Sequence, residues 1–97
     1  MTLDELIDAV LTSRGREQKN LLKQVIALDP GKEAAIRLAP ALRDPSPRVS
    51  ARVTALLARH QLLELFEKQL DGLKPGKISI LRAHFDKISQ SGKNQNS

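Results

Sequence analysis

Four residues, Asp44-Pro45-Ser46-Pro47, constrain this 97-residue chain more than any other feature. Pro45 disfavours helical geometry at the residue before it, so a helix arriving from the N-terminal side stops by Arg43 or Asp44. Pro47 suits the first position of a new helix, where a backbone N–H has no intrahelical partner anyway. Asp44 and Ser46 carry oxygens able to accept hydrogen bonds from the free N–H groups of that helix start. The corner therefore predicts two helices joined by a tight turn. Beyond it, Val49, Val53, Leu56, Leu57 and His60 fall on one helical stripe. Before it, Ala35, Ile36, Leu38, Ala39 and Leu42 make a face of mostly small residues, and Pro40 removes one hydrogen bond and bends the helix.

The remaining segments read in the same terms. Thr2-Leu3-Asp4-Glu5 has the spacing of a capping box, with Asp4 and Glu5 at the positive end of the helix dipole. Leu3, Leu6, Ile7, Val10 and Leu11 follow at helical period, and Gly15 serves as a left-handed stop. A second helix is carried by Leu21, Leu22, Val25 and Ile26, and Asp29-Pro30 caps and opens a third. Nothing at Arg59-His60-Gln61 breaks a helix. A turn is favoured there over one helix from Pro47 to Asp71, because a single stripe from Val49 would drift onto Glu67. Asp71 to Gly76 is a loop, and Ile78, Leu81, Phe85 and Ile88 line a last helix. Helices are thus predicted over 3–13, 16–28, 30–43, 47–59, 62–71 and 76–89, with no strand. Residues 1–88 form one domain in this reading, and the polar stretch 89–97 a disordered tail.

A shift of 31 residues superposes Ile7 on Leu38, Leu11 on Leu42, Leu22 on Val53 and Ile26 on Leu57. A shift of 28 brings Leu38 onto Phe66, Leu42 onto Leu70, Val53 onto Leu81 and Leu57 onto Phe85. Leu22, Ile26, Leu38, Leu42, Val53, Leu57, Leu81 and Phe85 are accordingly the expected core. The kinked Leu38-Ala39-Pro40-Ala41-Leu42 helix, the corner with Val49 and the amphipathic helix after it resemble a HEAT repeat of the short type over Leu38 to Leu57. The resemblance implies an all-α chain, a short α-solenoid of about three helical hairpins, in which second helices line a shared face. The position after Val49, often Arg in that family, is Ser50, so an Asp–Arg ladder between repeats is not implied here.

No catalytic constellation, cofactor motif or metal-ligand spacing emerges. There is no cysteine, and the two histidines, His60 and His84, lie on different predicted helices, neither with a second histidine, or a Glu in a recognised ligand pattern, one turn away. His60 reads as a helix-end residue and His84 as solvated; Asp4, Glu5 and Asp8 read as capping and dipole residues. No apolar run reaches the ~18 residues of a membrane helix, and a cytoplasmic, non-enzymatic protein is expected.

The charge is uneven. Residues 1–29 hold four basic against five acidic side chains, residues 30–60 six against two, and residues 61–97 six against four, for a net +5. Arg48, Arg52 and Arg59 lie opposite the Val53/Leu57 stripe, and Arg16, Lys19 and Lys23 recur along the second helix. Lys77, His84 and Lys87 do so along the last one. Through the HEAT resemblance, Arg16, Lys19, Lys23, Arg48, Arg52 and Arg59 are expected on one face that binds a protein partner, possibly acidic. Nucleic acid, contacted through phosphates on the same face, is the alternative, and self-association through uncovered stack ends is a third reading. With no Trp, no Tyr and two Phe, base-stacking platforms are scarce.

Overall fold

A computed structural model describes residues 2–28 and 31–95, with side-chain environments through Gln90. Among these residues the chain is all-α. Helix α1 spans Leu3–Thr12, α2 Gly15–Ala27, α3 Lys32–Leu38, α4 Pro47–Arg59, α5 Leu63–Leu70 and α6 Pro75–Gln95, and a 3-10 segment, Ala39–Arg43, follows α3. No described helix is long and apolar enough to cross a membrane.

Local chemistry explains most of these boundaries. The Thr2 hydroxyl accepts from the Glu5 N–H at 3.2 Å, one half of the capping box, and itself donates to the Glu5 carboxylate. Gly15 has φ of 65°, the left-handed geometry that glycine tolerates best. The cap expected at Asp29 and Pro30 lies outside the described residues; α3 begins at Lys32 with Gly31 at its N-cap. Pro40 offers no N–H to continue α3, and the chain tightens into the 3-10 segment up to Arg43. α6 passes the expected end at Ser89 and remains helical through Gln95.

At the Asp-Pro-Ser-Pro corner the accounting is specific. The Asp44 carboxylate accepts from the Ser46 N–H at 2.8 Å, whereas the Ser46 hydroxyl caps nothing and is buried without a partner. The expectation that both side chains cap α4 is therefore met by Asp44 alone. The Leu42 carbonyl finds no donor ahead of it, because Pro45 has no N–H and that of Ser46 is taken. Ser50 fills the gap: its side chain is wholly buried, and its hydroxyl lies 2.9 Å from the Leu42 carbonyl and 3.0 Å from that of Asp44. Lys77 on α6 also donates to the Asp44 carbonyl, at 2.7 Å.

The turn expected after Arg59 is present, though no residue type announces it. Leu62 N–H donates to the Leu57 carbonyl and Gln61 N–H to that of Ala58, both at 3.0 Å. Gln61 adopts a φ of 54°. This is a Schellman stop with glutamine in the left-handed position that glycine ordinarily takes.

α4 is the central element. It packs along α6, and also meets α2, α3, the 3-10 segment and α5. α1 packs on α2 and α3, and α5 on the 3-10 segment. The helices form a slab 36 × 33 × 19 Å, whose thinnest dimension is about two helix diameters of ~10 Å. By contact α1, α3 with its 3-10 extension, and α5 follow one another as one layer, and α2, α4 and α6 as the other. Leu22, Leu38, Leu42, Val53 and Leu57 are fully buried between them, and Leu81 and Phe85 nearly so. Ile26, expected with them, is only half-buried, and Val25 takes the inner position on α2. Phe66 and Phe85 stack with ring centroids 4.5 Å apart, joining α5 to α6. Arg37 reaches from α3 to Asp4 and Asp8 on α1, at 2.6 and 3.1 Å, so both acids pair across helices, and of the two only Asp4 lies in the first turn where it also favours the α1 dipole.

Candidate functional site

The second-layer helices each bury one stripe and leave the opposite one open. On α2, burial of Gln18, Leu22 and Val25 turns Arg16, Lys19 and Lys23 toward the outer surface. The buried Gln18 amide donates to the Val10 carbonyl at 3.0 Å and fixes the roll of α2 against α1. On α4, burial of Val49, Val53, Leu56 and Leu57 does the same for Arg48, Arg52 and Arg59. α2 and α4 are neighbours, and Arg16, Lys19, Asn20, Lys23, Arg48 and Arg52 line one groove of about 360 Å³ between them. Arg16, Lys23 and Arg48 are exposed, while Lys19 and Arg52 are half-buried.

Arg59 stands further along α4. It lines a smaller adjoining depression with Ile26, Ala55, Leu56 and Arg52, so Arg52 belongs to both. Five of the six cations expected on one face thus surround one groove, and the sixth joins them through Arg52.

Among the described residues, no carboxylate lines either depression. The ion pairs among the described residues are those of Arg37 with Asp4 and Asp8 and of Arg82 with Glu67, and none of the six candidate cations takes part. Arg82, whose pKa is raised by the hydrogen bond and charge of Glu67, belongs to the α5–α6 contact instead. Cations gathered around one groove sum to a field that attracts anions, and such a field is steep at low ionic strength.

Elsewhere the structure departs from the expected placement of functional groups. His84, expected in solvent, is half-buried and lines an apolar furrow beside α4 with Lys77, Ile80 and Lys87. Ile80, 70% exposed, was not singled out in the sequence. The available signal was its position three residues after Lys77 and four before His84, on the stripe flanking the buried one. His60 is the C-cap of α4 and half-buried. No cluster of His, Asp or Glu among the described residues is arranged to hold a metal ion.

Compared with models of known families, with curated proteins and with solved structures, the chain matches none, so the α2–α4 groove is interpreted from its own geometry and charge.

Proposed function

We propose that this chain is a small, non-catalytic interaction module, built as a short array of HEAT-like helix pairs, that docks an acidic segment of a protein partner in the groove between α2 and α4. One observation carries the reading: Arg16, Lys19, Lys23, Arg48 and Arg52 converge on one groove that, among the described residues, no carboxylate lines. Solubility alone calls for cations spread over a surface, not gathered without counter-charges on adjacent helices. The two-layer order of first and second helices supports the array, since stacked helix pairs present their second helices side by side. This part of the proposal rests on architecture and on the resemblance around the Asp44–Pro47 corner.

Phosphate recognition by the same cations is the second reading. The aromatic residues speak against it as a single-strand binder, because Phe66 and Phe85, the only aromatics in the chain, are buried against each other.

Titrating the protein with a synthetic Asp/Glu-rich peptide, and separately with single- and double-stranded oligonucleotides, tests the proposal. Amide shifts should concentrate at Asn20, Lys23, Arg48 and Arg52 with the peptide, and Arg48→Glu with Arg52→Glu should abolish binding while thermal stability stays within a few degrees. Tighter binding of oligonucleotide, with log K falling steeply against log salt, would transfer the assignment to nucleic acid. Peptide binding unaltered in the double variant would remove the groove altogether.

A further inference from the structure

On the other flank of α4 lies a second and larger concavity of about 570 Å³. Pro45, Pro47 and Ala51 form one wall, and Lys77, Ile80, His84 and Lys87 stand along the α6 wall. The spacing of these four is i, i+3, i+7 and i+10, a single stripe of α6, while Leu81 and Phe85 turn inward. The floor is apolar, and no carboxylate among the described residues lines it. Its charges stand at the ends. Lys77, anchored on the Asp44 carbonyl, marks one end, and Lys87 the other, with the His84 imidazole lining the furrow one turn before it. Ten residues of helix separate the two lysines, about 15 Å at ~1.5 Å per residue.

We propose that this furrow receives the apolar ridge of an acidic amphipathic helix from a partner protein, with carboxylates of that helix meeting Lys77 at one end and His84 and Lys87 at the other. The inference rests on the reading of the α2–α4–α6 layer as a protein-binding face, and it states what the partner presents there. A furrow between two packed helices offers no unpaired backbone edge to an extended strand, whereas a helix satisfies its own backbone and needs only side-chain contact. About three turns of partner span the furrow, with apolar residues at i, i+3 or i+4, and i+7, and carboxylates about ten or eleven residues apart. The same partner's other flank then lies over Arg48 and Arg52, because α4 separates furrow from basic groove by one helix width. A second copy of this chain is a poor occupant. It carries +5, and its Asp4, Asp8 and Glu67 are already paired with arginines.

Two fluorescent peptides of identical composition test this, each of about 14 residues or four helical turns. In one, leucines follow the i, i+3/i+4, i+7 pattern with glutamates on both flanks; in the other the same residues are scrambled. The patterned peptide should bind at least tenfold more tightly. Ile80→Asp, at an exposed position that leaves folding intact, should remove that advantage, and Ala51→Glu should do so from the opposite wall. Arg48→Glu with Arg52→Glu should weaken both peptides. Equal affinities, together with no effect of Ile80→Asp or Ala51→Glu, would overturn the furrow while leaving the basic groove standing if the arginine variants still weaken both. Binding of neither peptide, or binding untouched by every variant, would overturn both proposals.

Discussion

Replacing Ser50 with alanine removes one hydroxyl from the point where the corner, α4 and α6 meet. The side chain is wholly buried, so the change is not buffered by solvent. Its hydroxyl faces two carbonyls, and they fare differently without it. Asp44 keeps the Lys77 ammonium at 2.7 Å. Leu42 keeps nothing, because Pro45 lacks an N–H and that of Ser46 is committed to the Asp44 carboxylate. One buried acceptor left unpaired costs about 1–3 kcal/mol. Alanine's better helix propensity returns about 0.5 kcal/mol near the start of α4. The expected loss is therefore about 0.5–2.5 kcal/mol. With an unfolding entropy of ~2.1 cal/mol/K per residue, that lowers Tm by about 2–12 °C. Urea and thermal melts followed by circular dichroism measure it. A cycle with Lys77→Met separates the mechanism from simple loss of packing: with the lysine gone, Ser50→Ala also orphans the Asp44 carbonyl, and the two changes should couple by about 0.5–1 kcal/mol. A loss below about 0.3 kcal/mol, or strictly additive effects, would refute the account of the corner given above.

Three further outcomes are expected. Leu57→Ala, at a fully buried site in the central helix, should cost about 2–5 kcal/mol by urea titration through lost transfer energy plus a cavity. Gln61→Gly should raise stability by about 0.5–1 kcal/mol, since φ of 54° strains any residue with a Cβ; an unchanged or lower urea midpoint would mean that the glutamine side chain contributes there. Thr54→Val, at a fully buried position whose hydroxyl has no partner, should stabilise by about 0.5–2 kcal/mol, and a clear loss in the same assay would reveal an acceptor for that hydroxyl.

Much of the architecture was legible from local chemistry. Prolines and caps act within a few residues of themselves, so the Asp44–Pro47 corner, the Thr2 capping box, the left-handed Gly15 and the loop after Leu70 could be read without knowing what packs on what. The 3.6-residue period likewise identified seven of eight core positions, because burial in a helix depends first on which side faces its neighbours. Ile26 was the exception, since the roll of α2 is settled by Gln18 bonding to Val10 and places Val25 inward instead. The end of α4 was inferred only from drift of the apolar stripe; what makes the stop is a pair of backbone bonds that hold Gln61 in a conformation its residue type does not announce. Charge showed the same division. That Arg16, Lys19 and Lys23 share one side of a helix, and Arg48 and Arg52 one side of another, follows from spacing. That the two sides meet at one groove depends on α2 lying next to α4, a contact between residues about thirty positions apart that no local rule encodes. The apolar furrow is less legible still. Its walls come from the corner and from α6, and Ile80 becomes more than a stray surface apolar residue only when α6 packs along α4 and sets it opposite Ala51.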